Sequence, residues 1–152
     1  MKKTDKILVT GASGFIGSRL VKSLYEGGFT DIRATSWSRD LRNDFEGCEN
    51  IEFLKGNLQD ADFCEIVSKD IDVIFHCAAN TSNALDTKFN PLLHVTPNIE
   101  MNVNLMEQSW RNKVRKFMFI SSNTTYPDLG DVPCTEDVEV QTPDIVPVYK
   151  AV

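Results

Sequence analysis

The sequence predicts an α/β fold built as a doubly wound parallel sheet, and three observations predict it. Apolar runs of strand length alternate with helix-like stretches along the chain. The run Val73–Cys77 shows no polar alternation, as expected of a strand covered on both faces. A glycine-rich turn, Thr10-Gly11-Ala12-Ser13-Gly14-Phe15-Ile16-Gly17, joins the first apolar run, Ile7-Leu8-Val9, to the first helical stretch.

The elements follow in order. A first strand covers Lys6–Thr10, and a first helix covers Phe15–Glu26, stopped by Gly27-Gly28. A second strand spans Asp31–Trp37, and a third, after a polar linker, spans Ile51–Leu54. A short helix fits Ala61–Ser68, and the fourth strand is Val73–Cys77. A longer helix covers Pro97–Arg111, with Ile99, Val103, Met106 and Trp110 at helical spacing as its sheet-packing face. Lys116–Ile120 is the fifth strand. The β-α-β-α order implies right-handed crossovers and a parallel, Rossmann-like sheet. From Pro127 to Pro147 the chain is rich in Asp, Glu and Pro and reads as loop. The whole of 1–152 reads as a single dinucleotide-binding domain.

A strand, a glycine turn and a helix start make a cradle for a pyrophosphate. Gly11 permits the tight turn, Gly14 lets the backbone approach the phosphates, and Gly17 lets the helix pack closely. The helix N-terminus then offers unpaired N–H groups and a partial positive charge. Gly11, Ser13, Gly14, Phe15, Ile16 and Gly17 are the candidate phosphate-binding residues. The bland alternative is an ordinary strand-to-helix turn. Ligands of such sheets lie at the carboxyl ends of the strands. Those ends read Ser38-Arg39, Gly56-Asn57-Leu58, Cys77-Ala78-Ala79-Asn80 and Ser121-Ser122.

Composition narrows the function classes. The chain has 152 residues, with 41% hydrophobic and 25% charged, as in a globular protein with one core. A net charge of -6 argues against nucleic acid as the main partner. No apolar stretch reaches the roughly 20 residues of a membrane helix, and the N-terminus does not read as a signal peptide. The cysteines, Cys48, Cys64, Cys77 and Cys134, lack metal-ligand spacing and read as reduced thiols in a cytoplasmic protein. His76 in a strand and His94 in a loop have no nameable partner and read as structural.

Six segments in order resemble the extended short-chain dehydrogenase/reductase family of nucleotide-sugar epimerases, dehydratases and reductases. They are TGASGFIG at 10–17, GNLQD at 56–60, VIFHCAAN at 73–80, NIEMNVNLMEQ at 98–108, FMFISS at 117–122, and Tyr149. Asn98, Met101, Asn102 and Asn104, with SSNTTYPD at 121–128, resemble the GDP-L-fucose synthase-like branch. The resemblance implies an NAD(P)-dependent hydride transfer at a carbon of a nucleotide-sugar substrate, in an enzyme that forms a homodimer. It makes Ser122, Tyr149 and Asn98 the catalytic candidates. Tyr149 would be the acid/base, its phenol made easier to ionise by a neighbouring lysine ammonium. The alternatives are a turn-capping hydroxyl for Ser122, a loop aromatic for Tyr149 and a helix-start cap for Asn98.

The resemblance also places cofactor groups. Arg39 suits the 2′-phosphate of NADP, whereas Asp40 suits the ribose hydroxyls of NAD. NADP is the expected cofactor, NAD the alternative, and a solvated surface charge the bland reading of Arg39. Asn57 and Leu58 match an Asp-Leu pair near the adenine, and Ala78 and Ala79 leave room for a ribose, with close packing as the bland reading; Cys77 beside them is a further cofactor-binding candidate, or else a small buried side chain. Two departures stand out. The family spacing Tyr-x-x-x-Lys is cut short, because only Lys150, Ala151 and Val152 follow Tyr149. The chain therefore reads as the cofactor-binding half of such an enzyme, inactive alone, with the C-terminal substrate part missing. Thr124 stands where the GDP-L-fucose synthase branch has a cysteine, which argues against 3,5-epimerisation. A non-catalytic NADP(H)-sensing or protein-binding module is the rival reading.

Overall fold

The computed structural model describes residues 1–48, 50–81, 92–121, 126–127 and 129–138. Its strands are β1 (Ile7–Thr10), β2 (Ile32–Ser36), β3 (Ile51–Lys55), β4 (Val73–His76) and β5 (Lys116–Phe119). They form one parallel sheet in the order β3-β2-β1-β4-β5. The helices are α1 (Phe15–Glu26), α2 (Ala61–Ser68) and α3 (Leu92–Arg111). Strand order reverses between β1 and β4, so the crevice above their carboxyl ends is the ligand position of this topology.

The unbroken apolar runs are explained by two cores, one on each face of the sheet. Ile7, Val9, Val73 and Phe75 point to one side, where Val21 and Leu24 of α1 cover them. Leu8 and Ile74 point to the other, onto Cys64 and Val67 of α2 and Met101 and Leu105 of α3. Each fully buried Leu or Ile stabilises the fold by about 2 kcal/mol. Gly27 and Gly28 stop α1, with Gly28 at φ +82°. At the start of α2, Asp60 accepts a hydrogen bond from the Asp62 amide.

Three expectations need correction. First, the long helix begins at Leu92, and Pro97 lies in its second turn rather than at its start. A proline past the first turn removes one i→i−4 hydrogen bond and crowds the turn before it. His94, expected in a loop, therefore falls within the helix backbone. Second, Ile99, Val103, Met106 and Trp110 do not pack on the sheet; they are 40%, 54%, 38% and 80% exposed. The inward face is Val95, Asn98, Met101, Leu105 and Ser109. Both stripes have helical spacing, and the buried one includes polar residues, so the apolar one looked like the core. Third, the polar linker contains a 3-10 turn, Arg42–Phe45, with Leu41 and Phe45 buried. Phe45 stacks on Phe53 of β3 at 5.4 Å between ring centroids.

Candidate functional site

One cavity of about 340 Å³ opens at the strand carboxyl ends, a volume within the range of small-molecule sites. The glycine loop is one wall. Gly11 holds φ +65°, and a Cβ there would lie 2.7 Å from the Ala78 backbone. The β1 and β4 loops thus touch backbone to backbone, which only glycine allows. Gly14 differs: a Cβ would meet only the Gly11 carbonyl oxygen, at 3.2 Å, because the remaining space is the cavity itself. Gly14 precedes α1 with no side-chain cap, which leaves first-turn N–H groups for an anion. These features fit a pyrophosphate.

The residues singled out from the sequence divide into groups. Gly11, Ser13, Gly14, Asn57, Leu58, Cys77, Ala78 and Ala79 all line this cavity. Phe15, Ile16 and Gly17 do not. Phe15 is 81% exposed, Ile16 is half-exposed, and Gly17 is buried against the Gly11 carbonyl. Arg39 lines a second, adjoining cavity. Asn98 lies buried behind the wall rather than in it. Ser122, Thr124, Tyr149 and Lys150 lie outside the described residues. Sequence reasoning missed Trp37, Gln59, Pro97 and Met101 as lining residues. Trp37 follows a strand end, which is a signal. Pro97 and Met101 reach the cavity only through helix packing, which leaves none.

The far wall is held from α3 by asparagines. Asn98 accepts a bond from the Asn80 amide at 2.7 Å and donates one to the Asn80 carbonyl at 2.8 Å. It sits within the helix, so a helix-start cap is not its role. Asn104 donates to the Gln59 carbonyl at 2.7 Å. Asn102 accepts from His76 at 2.9 Å. Three asparagines of one helix thereby fix the chain segments at the ends of β3 and β4. Asn57 spends its own carbonyl oxygen on the Gln59 amide, at 3.0 Å, shaping the turn.

His76 has partners on both ring nitrogens. The Ala78 amide donates to Thr10 Oγ1 at 3.2 Å, and Thr10 Oγ1 lies 2.7 Å from His76 Nδ1. Asn102 Oδ1 can only accept, so Nε2 carries the proton and Nδ1 accepts from Thr10. Burial lowers the imidazole pKa below its ordinary value, with the Asn102 bond opposing. The folded state therefore holds it neutral, while the unfolded chain takes up a proton near pH 6.5. Stability from this residue is complete above that pH and is lost as pH falls toward the folded pKa. The expected slope is up to about 1.4 kcal/mol per pH unit. Urea denaturation between pH 7.5 and 5 checks it: His76→Gln should show a shallower decline than wild type, and parallel curves would contradict the assignment.

Burial keeps two of the thiols protonated. Burial raises the Cys77 pKa. The Cys64 thiol is pushed up to about 12, by burial first and then by Asp60. A thiol kept protonated makes Cys77 a wall and not a nucleophile.

Comparison with known proteins agrees with this geometry. The family model described as NAD dependent epimerase/dehydratase family matches residues 7–151. UDP-glucose 4-epimerase from Pisum sativum is 30% identical over 149 residues, which is 91% of this chain and 42% of that protein. The structure of UDP-N-acetylglucosamine 4-epimerase from Methanobrevibacter ruminantium M1, in complex with UDP-N-acetylmuramic acid, superposes with a TM-score of 0.80 at 28% identity. That match covers 99% of this chain and 48% of the other. A short-chain dehydrogenase/reductase superfamily protein from Agrobacterium tumefaciens with bound NAD superposes with a TM-score of 0.73 at 26% identity, over 95% of this chain and 42% of that one. The chain thus spans less than half the length of these relatives. With a parallel sheet reversing at β1 and β4, a glycine loop on the crevice and a family match over nearly its whole length, the chain belongs to the NAD-dependent epimerase/dehydratase family.

Proposed function

We propose that this chain is the dinucleotide-binding part of a nucleotide-sugar epimerase, reductase or dehydratase, with NADP as the cofactor and NAD as the alternative. The observation that carries the reading is Gly14: its missing side chain opens directly onto the cavity, beside first-turn amides that lack a cap. The pyrophosphate is assigned to Gly11, Ser13 and Gly14 with the start of α1. The adenine end is assigned to Trp37, Asn57 and Leu58, and the nicotinamide ribose to Cys77, Ala78 and Ala79. When bound, the dinucleotide supplies the hydride acceptor and donor for chemistry at a sugar carbon.

The protein's own residues supply position and protons. Thr10, His76 and Asn98 fix the 77–80 segment, so the ribose wall is set before a ligand arrives. Tyr149 is proposed as acid/base and Ser122 as the group holding the substrate oxygen. Two of the three relatives named above are 4-epimerases of UDP-sugars, which supports C4 of a nucleotide-linked sugar as the reacting carbon. The GDP-L-fucose synthase-like branch is a finer reading than these matches carry. Isothermal titration of the protein with NADPH and NADH tests the proposal. One dinucleotide per chain is the expected result, accompanied by quenching of Trp37 emission. No heat with either at millimolar concentration would overturn it.

A further inference from the structure

The second cavity, of about 210 Å³, shares Ser36 with the first and is lined by Arg39, Arg42 and Lys55. Its charges are unevenly balanced. Arg42 Nη1 lies 3.2 Å from Asp40 Oδ2. Arg39 faces Asp44 with both terminal nitrogens: Nη2 is 2.9 Å from Oδ2, and Nη1 is 3.2 Å from Oδ1. Arg39 Nη2 also donates to the Ser13 carbonyl of the glycine loop at 3.2 Å. Lys55 makes no ion pair among the described residues.

Lys55 ends β3 directly opposite Ser36, which ends β2. The Ser36 hydroxyl donates to the Arg39 carbonyl, folding the chain after β2 back over that strand end. Arg39 and Lys55 therefore face one small cavity beside the loop that takes the pyrophosphate. A phosphate ester there would meet the uncompensated lysine and would have to compete with Asp44 for the arginine fork. We propose that Lys55 and Asp44 set the choice between NADP and NAD in opposite directions, Lys55 attracting the 2′-phosphate and Asp44 withholding Arg39 from it. This rests on the dinucleotide reading above and goes beyond it, since Arg39 alone does not decide the preference.

The test is isothermal titration of wild type, Lys55→Gln and Asp44→Asn with NADP, NAD, 2′,5′-ADP and 5′-ADP, with circular dichroism to verify folding. Lys55→Gln should weaken NADP and 2′,5′-ADP about fivefold and leave NAD and 5′-ADP unchanged. Asp44→Asn should tighten NADP and 2′,5′-ADP about threefold, again without moving NAD. Lys55 is an exposed side chain, so its variant carries the test if Asp44→Asn destabilises the 3-10 turn. If NADP-to-NAD ratios stay within about twofold of wild type while the dinucleotides still bind, the inference falls and the dinucleotide reading stands. If wild type binds neither dinucleotide, both fall.

Discussion

Replacing Gly17 with alanine lowers stability by about 2 kcal/mol and weakens the proposed dinucleotide binding about tenfold. Two effects oppose each other at this position. Helix propensity favours alanine over glycine by about 1 kcal/mol inside a helix such as α1. Sterics act the other way: a Cβ on Gly17 would lie 2.4 Å from the Gly11 carbonyl oxygen and 2.8 Å from its carbon. It would also lie 3.0 Å from Ala12 Cα. All three are backbone atoms of the loop, so no side chain can rotate away. The start of α1 must then move off the loop, and the anion-facing amides move with it. Gly14→Ala separates the two roles. Its Cβ meets only one atom, at 3.2 Å, and otherwise projects into the cavity. It should lose binding with little loss of stability. Urea denaturation and NADPH titration on both variants check this, and a Gly17→Ala protein more stable than wild type would show that propensity wins.

That contrast explains why the glycine loop was legible in the sequence. Its constraints are local: Gly11, Gly14 and Gly17 act within seven residues, so their spacing alone carries the geometry. The layering of helices on both faces of the sheet was legible for a related reason. Continuous apolar runs such as Val73–Cys77 demand cover on both faces, and only a sheet with helices on each side provides it. Helix α2 matched its expected bounds because Asp60 announces the start as a cap.

The rest of the site was not legible because its partners are remote or its chemistry is ambiguous. His76 meets Thr10 across 66 residues and Asn102 across 26, and nothing near it in sequence names either. On α3 two stripes of helical spacing compete. Apolarity favours Ile99, Val103 and Met106, yet the buried stripe includes Asn98 and Ser109. Asn98 is inside because Asn80, beyond the end of β4, offers it two bonds, and Ser109 is inside because its hydroxyl donates to the Leu105 carbonyl of its own helix. The asparagine pattern that suggested a family branch thus has a structural reason in this chain: Asn98, Asn102 and Asn104 bind three different points around the crevice. Arg39 shows the converse. Its identity suggested a phosphate contact, but its ion pair with Asp44 appears only when the 3-10 turn is placed.

The second large effect belongs to Arg33, a charge inside the otherwise uncharged strand β2. Arg33→Met is expected to cost about 3 kcal/mol of stability. The residue is 8% exposed. Its Nη1 reaches the carbonyls of Ile66, Val67 and Lys69 at 3.2, 2.9 and 2.9 Å, where α2 ends. A cation at a helix C-terminus satisfies orphan carbonyls and opposes the negative end of the dipole. Its Nε also donates to Glu52 at 2.7 Å. Methionine fills similar volume, so the loss reports hydrogen bonds and charge rather than a cavity. Glu52 is 45% exposed and can rehydrate, so Glu52→Gln should cost under about 1 kcal/mol. Arg33→Lys should recover less than half the loss, because an ammonium cannot span the carbonyls and the carboxylate together. Urea denaturation of the three variants tests the ranking. If Glu52→Gln costs as much as Arg33→Met, the ion pair and not the helix end is what Arg33 stabilises.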